Sequence, residues 1–308
     1  MTPPDGNSPP PPNAQNAPAR AAFWRLRTHT LRFGRLPALM GIVNVTPDSF
    51  SDGGRFLDPQ AAIDRGLQLA AEGAALLDIG GESTRPRAEP VAAAEELRRV
   101  MPVVQALCER SGVQVSIDTS KAEVAREALA AGAEIVNDVT ALAGDPAMAG
   151  LVAETGAAVC VMHMQGTPRS MQENPTYRDV VAEVFAFLQQ RRDALVAAGI
   201  AAERIAMDPG IGFGKRREHN LALLAACAQF HRPGNPLLVG VSRKRFLREV
   251  LAESTVPPLG EPLFGTIGVA AWLALQGVQV LRVHDVGPIR EALALFDAVG
   301  TGVTGNLR

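Results

Sequence analysis

Cysteine is scarce: three in 308 residues, Cys108, Cys160 and Cys227, odd in number and far apart. No C-x-x-C occurs. That excludes a disulfide framework and a thiolate zinc site, and a reducing cytoplasm fits best. An excess of charge is also lacking, with 30 Lys+Arg against 32 Asp+Glu and a formal charge of −2. A nucleic-acid binder would need clustered phosphate-neutralising charge. No run reaches the roughly 18 uncharged apolar residues of a membrane helix. The N-terminus shows no charged start, apolar block and cleavage site, so it does not read as a secretory leader.

What is present is a substantial apolar fraction, 47%, beside 20% charged residues. Such a chain buries a sizeable core. The exception is the first stretch, MTPPDGNSPPPPNAQNAPA, which holds seven of the 23 prolines and almost nothing to bury. Residues 1–22 are expected to be a disordered tail of polyproline II character. Residues 23–37 alternate loosely, carry several arginines, and suggest a short strand pair leading into a domain that spans 23–302. Residues 303–308 are expected to be a flexible end.

From Leu39 one unit repeats. A short apolar run ends in polar residues, a loop follows, then an Ala/Leu/Glu-rich amphipathic stretch. The strand candidates are 39–43, 75–79, 115–117, 134–136, 158–162, 205–207, 237–241 and 280–283. Gly73, Gly132, Gly156 and Gly277 precede several of them and suit the left-handed residue that ends a helix. Strands alternating with helices imply parallel crossovers. Eight of them within one domain imply an α/β fold of the closed (β/α)₈ TIM barrel type, which needs about 250 residues. An open doubly wound sheet is the other arrangement, but no G-x-G-x-x-G follows the first strand.

In such a barrel the C-terminal strand ends converge on one face, where active sites form. Strand 1 is followed by Asn44 and a loop through Gly54; strand 2 by Gly80, Gly81, Glu82, Ser83, Thr84, Arg85 and Pro86. The later strands end at Asp118, Asn137 with Asp138, His163, Asp208, the Ser242-Arg243-Lys244 run, and Arg282 with His284 and Asp285. Short acids and amides at one end suit the hydrogen-bonding edge of a flat nitrogen heterocycle, since a carboxylate accepts two adjacent N–H donors. Arg282, His284 and the Asn44 amide suit an anion or, through a metal, a phosphate.

Blander roles stand beside these. Asp78 reads equally as a satisfied core acid or as the base of the pocket, and His163 equally as core or lining. Asp138 and Asp285 read as caps of the following turn and helix. His219 begins a helix; His231 and His29 are expected at the surface. The run 210–215 (GIGFGK) has three residues between its first glycine and Gly-Lys, where a Walker A loop has four, so its glycines suggest close backbone approach to a ligand. No H-E-x-x-H and no zinc-spaced Cys/His cluster occurs.

These strand ends carry a resemblance. The blocks 40–54 (MGIVNVTPDSFSDGG), 78–86 (DIGGESTRP), 116–119 (SIDT), 136–138 (VND), 162–166 (MHMQG), 208–210 (DPG), 240–244 (GVSRK) and 282–285 (RVHD) are similar, in order and spacing, to those of the dihydropteroate synthase family. The match runs from about Met40 to the last helix and leaves out the tail. It implies a transferase that condenses 6-hydroxymethyl-7,8-dihydropterin diphosphate with 4-aminobenzoate, giving 7,8-dihydropteroate and pyrophosphate in folate biosynthesis. By position it implies that Asp118, Asn137, Asp208 and Lys244 bind the pterin. Asn44 would hold Mg²⁺ bridging to the diphosphate, which Arg282 and His284 would also grip. Phe50, Thr84, Arg85, Pro86 and Ser242 would shape the 4-aminobenzoate pocket, and Asp52 would stabilise a developing pterin cation. Asp52, Lys244, Arg282 and His284 would be the catalytic set. Sulfonamides would compete, and the chain would form a homodimer, with no nucleic-acid or membrane partner.

Two positions depart from the family's habit. Arg87 follows Ser-Thr-Arg-Pro where glycine is common, and Arg245-Phe246 follows Lys244 where serine is frequent. Two other functions share parts of this pattern. A methyltetrahydrofolate-dependent methyltransferase would share the pterin acids, but it expels no diphosphate, against which loop 44–54 and Ser242-Arg243-Lys244 argue. A non-catalytic pterin-binding paralogue would keep the fold while losing loop 1 or Lys244, and neither is lost.

Overall fold

The computed structural model describes residues 20–46, 58–84, 88–253 and 263–302. Its first element is a small antiparallel hairpin, β1 (Phe23–Arg25) with β2 (Thr30–Arg32). There follow β3 (Ala38–Asn44), α1 (Pro59–Ala71), β4 (Leu76–Gly80), α2 (Ala93–Arg110), β5 (Gln114–Asp118), α3 (Ala122–Ala130), β6 (Ile135–Asp138), α4 (Met148–Thr155) and β7 (Ala158–Met162). Then come α5 (Val180–Ala197), β8 (Ile205–Asp208), α6 (Arg217–Ala225), β9 (Leu238–Gly240), α7 (Arg245–Glu253), α8 (Leu263–Leu275), β10 (Val280–Val283) and α9 (Val286–Thr301).

The eight strands from β3 to β10 are all parallel, in the order β8-β7-β6-β5-β4-β3-β10-β9. The ring closes between its two ends. Met207 of β8 donates its backbone N–H to Pro236 O at 2.8 Å and bridges in parallel to Leu237. The chain therefore forms a (β/α)₈ barrel. Helix ends follow local chemistry. The Asp58 side chain caps α1 by accepting from Gln60 N, with Pro59 as the first helical residue. Gly156, at φ 66°, ends α4 in the left-handed conformation.

Each strand alternates between two environments. Outward residues such as Val43, Leu77, Ile117, Val159 and Leu281 join the large core shared with the helices. Inward residues near the strand starts, including Met40, Leu76, Ile135, Ala158, Leu238 and Val280, form a second core inside the barrel. The hairpin completes that inner core from below. Trp24 and Leu26 are buried in it, and Trp24 Nε1 donates to Arg204 O at 2.9 Å. Glu134 accepts from Thr28 N at 2.7 Å, tying the hairpin to the barrel. Ordered contacts begin before the expected tail boundary, since Arg20 donates to Gly34 O at 3.1 Å and Ala22 O accepts from Phe33 N at 2.9 Å. Towards the other end the inward positions turn polar, and there the candidate site lies.

Candidate active site at the strand ends

Asp78 points inward from the middle of β4 and is fully buried. Burying a carboxylate requires a partner. Two arrive from distant strands. Arg282 of β10 places Nε 2.6 Å from Asp78 Oδ2, and Asn137 of β6 donates Nδ2 to the same oxygen at 2.9 Å. The Arg282 fork then reaches Asp118 at the end of β5, with Nη2 2.7 Å from Oδ2. One guanidinium thus ties β4, β5 and β10 together beneath the strand ends. Asp78 thus joins both readings: it is a buried acid paired through Oδ2, and its pair with Arg282 forms the base of the pocket.

Above this floor opens a cavity of about 580 Å³. Asn44, Thr84, Asp118, Ser242, Lys244, Arg282 and His284 are among its walls. Asn137 and Asp208, 6% and 7% exposed, are not among its walls. Burial pushes the Asp118 carboxyl up to about 7 despite Arg282, with Asp78 adding to the rise. Burial also pushes Asp208 up to about 6, although Gly210 N–H donates to its Oδ1 at 2.7 Å. Lys244 is drawn down to about 8, by burial first and by Arg282 second. Its ammonium stands 4.1 Å from the centre of the Phe213 ring, a cation–π distance.

His284 Nδ1 lies 3.0 Å from Ser242 Oγ, which also accepts the His284 backbone N–H at 3.2 Å. Burial, then the charges of Arg282 and Arg243, lower the imidazole to about 3, so it is neutral at physiological pH. In the tautomer whose Nδ1 accepts from the Ser242 hydroxyl, Nε2–H is left as a donor. The cavity wall therefore holds carboxylates, cations and neutral donors together. Such a set can bind an N–H-rich ring edge and an anion.

Similarity to known proteins agrees with this geometry. Residues 40–284 match the family of pterin binding enzymes. The chain is 47% identical to the dihydropteroate synthase of Escherichia coli strain K12 over 262 residues, covering 85% of this chain and 91% of that one. The chain belongs to the dihydropteroate synthases. Among solved structures it resembles the Yersinia pestis dihydropteroate synthase in complex with a sulfonamide drug, at TM-score 0.83 and 44% identity, covering 91% of this chain and 99% of that one. It also resembles the Xanthomonas albilineans dihydropteroate synthase in complex with 7,8-dihydropteroate, at TM-score 0.80 and 42% identity, covering 90% and 98%.

As a dihydropteroate synthase the chain brings Asn44, Thr84, Asp118, Ser242, Lys244, Arg282 and His284 around one cavity. Phe50, Asp52, Arg85 and Pro86 lie outside the described residues, as does Arg87. Arg245 is exposed and pairs with Glu249 at 2.9 Å. Asp138 caps the turn after β6 as expected, accepting from Thr140 N at 2.7 Å and Leu142 N at 3.0 Å.

Several sequence readings need correction. Asp285 occupies the position before α9, but its side chain makes no cap and pairs with Arg243 at 2.7 Å instead. His231 is buried rather than at the surface, with Nε2 3.0 Å from Gln276 O, because α8 ends against it. His163, read equally as core or lining, takes the core role, edge-on to Phe187 at 4.9 Å and not among the cavity walls. The glycines of 210–215 serve mainly protein contacts. A Cβ on Gly210 would stand 1.9 Å from His163 O, and one on Gly214 2.4 Å from Gln165 O.

Several wall residues carried no role in the sequence reading, Phe213 and Lys215 among them. Lys215 is 2% exposed, with Nζ 2.9 Å from His163 Nδ1, 3.2 Å from His163 O and 3.0 Å from Phe213 O. Their signal was position: both follow Asp208 in a glycine-rich loop at the active face.

Proposed function

We propose that the cavity's two chemical halves divide the labour of the dihydropteroate synthase reaction. The observation that carries the division is the wall itself, with Asp118 facing the cavity beside Arg282, Asn44 and His284. Asp118 accepts the paired N–H donors of the pterin ring, Asn137 and Asp208 fix the ring from deeper positions, and Lys244 covers its edge. The amine of 4-aminobenzoate displaces diphosphate at a methylene carbon. The leaving group is already activated, so no strong nucleophile is required. Arg282 and the Nε2–H of His284 stabilise the departing negative charge. Thr84 and Ser242 form the described part of the 4-aminobenzoate pocket, with Phe50, Arg85 and Pro86 assigned there by resemblance. Asp52 is assigned the developing cation on the same ground. Positioning two substrates in line supplies much of the remaining rate.

The residues also fit Mg²⁺. Asn44 lines the cavity together with Arg282 and His284, and its amide oxygen would be the ligand, since Mg²⁺ characteristically keeps waters and binds through one or two protein oxygens plus substrate phosphates. Bound there, it would neutralise charge on the diphosphate. The expected homodimer has a candidate surface in the apolar groove between α8 and α9, where Leu295 and Val299 are 66% and 83% exposed. Among the described residues no helix is long and apolar enough to cross a membrane. All three cysteines are unpaired, which supports a cytoplasmic setting. Sulfonamides, as analogues of 4-aminobenzoate, compete for its pocket.

The test is pyrophosphate release with both substrates and Mg²⁺, against a control lacking 4-aminobenzoate. Release that needs 4-aminobenzoate and yields dihydropteroate supports the reading. Asp118→Ala is expected to abolish pterin binding in calorimetry, and undiminished affinity would remove Asp118 from its role.

A further inference from the structure

The second βα loop leaves β4 at Gly80 and carries Thr84 into the cavity wall. Its two ends are held by one carboxylate. Glu82 accepts from Val91 N at 3.2 Å across the loop, and it receives Lys121 Nζ from the turn before α3. Lys121 reaches at the same time to Glu96, which is fully buried in the first turn of α2. A helix N-terminus favours an acid there. Gly81 makes this approach possible: a Cβ on it would stand 2.6 Å from Val100 Cγ1 and 3.0 Å from Glu96 Cγ. Arg99 adds a fourth tie, donating Nη1 to Gly81 O at 3.0 Å. Burial works against the Lys121 ammonium, but hydrogen bonds from it to Glu82 and Glu96 outweigh that and raise its pKa. The cation therefore persists across the physiological range. Lys121 lines no part of the cavity, while Glu82 does.

We propose that Lys121, bridging Glu82 and Glu96, is a positioning residue that sets Glu82 and Thr84 in the cavity wall for 4-aminobenzoate. The proposal rests on the reading of Thr84 as part of that substrate's pocket. Lys121 also follows Asp118 by three residues, so a simple structural role would disturb both substrates alike.

The experiment compares steady-state kinetics of the full chain with those of Lys121→Met, and measures pterin affinity by calorimetry. The expected result is a KM for 4-aminobenzoate raised about tenfold or more, kcat within about threefold, and an unchanged pterin Kd. Lys121→Arg, which keeps the charge, should recover most of the KM. An unchanged KM, or a pterin Kd rising in parallel, overturns the proposal. Should Lys121→Met fail to fold, Glu96→Gln, outside the cavity wall, carries the same expectation and the same overturning results. If the unmodified enzyme releases pyrophosphate without regard to 4-aminobenzoate, the reaction reading itself falls, and the proposal with it.

Discussion

Arg282 Nε lies 2.6 Å from Asp78 Oδ2, although 204 residues separate them in the chain. The pair is both a structural tie and the floor of the active site. Removing the cation leaves Asp78 buried with only the Asn137 amide as partner, and breaking a buried ion pair in this way typically costs about 3–5 kcal/mol. Arg282→Met should therefore lower stability by roughly that amount in urea unfolding, besides its effect on turnover. Adding Asp78→Asn should return part of the loss, because the orphaned charge is gone. A single variant as stable as the parent would show that Asp78 finds solvent or a proton at little cost.

The raised acids give pterin binding a pH dependence. The carboxylate form is the one that accepts two N–H donors. Affinity is therefore full above the folded values of about 7 for Asp118 and about 6 for Asp208, and falls as pH drops through them. Below both, each group weakens binding by up to about tenfold per pH unit. In the ligand-free enzyme the sign is opposite. The folded state keeps protons that the unfolded chain, near 3.8, has released, so these two acids favour the fold as pH falls from 7 towards 4. Calorimetric titrations with pterin from pH 5.5 to 8.5 check the first claim, and a flat profile would refute it.

Gly210 should tolerate no side chain. It has φ 67°, and a Cβ there would meet His163 O at 1.9 Å. Left-handed backbone costs an ordinary residue about 1–2 kcal/mol, and overpacking a further 1–3 kcal/mol or so. Gly210→Ala is expected to lose about 3 kcal/mol in urea unfolding and to weaken pterin binding, because Gly210 N–H is the donor to Asp208. Stability within about 0.5 kcal/mol of the parent would mean the loop moves aside freely.

The eight barrel strands were legible because each is a short apolar run closed by polar residues, and the observed strands fall within two residues of those runs. The direction of each side chain was less so. Parallel strands buried on both faces read as near-continuous apolar segments. The alternation that sends Val43 outward and Met40 inward thus leaves little trace. Asp78 was ambiguous for a related reason: its partner lies on β10, the last strand in the chain, which the sheet order sets on the other side of β3 from β4. The burial of His231 depends on where α8 ends, and Lys215 is explained only by the neighbouring loop that carries His163. Strand-end chemistry was readable because local sequence places it. Partnerships across the barrel were not, because tertiary packing makes them.

The N-terminal hairpin allows stability and activity to be separated. Trp24 fills the inner core at the barrel's lower mouth, opposite the strand ends that carry Asp118 and Lys244. In barrels of this kind the lower face serves stability and the upper face chemistry. Truncating a fully buried tryptophan typically costs about 3–5 kcal/mol, and here the Nε1 bond to Arg204 O is lost as well. Trp24→Ala should lower the urea midpoint accordingly, while kcat/KM for both substrates stays within about twofold at temperatures where the variant is folded. Trp24→Phe, which keeps most of the volume but not the hydrogen bond, should cost markedly less. If kcat/KM of the folded alanine variant dropped tenfold, the inner core would be transmitting strain to the floor of Asp78 and Arg282, and the two ends of the barrel would not be independent.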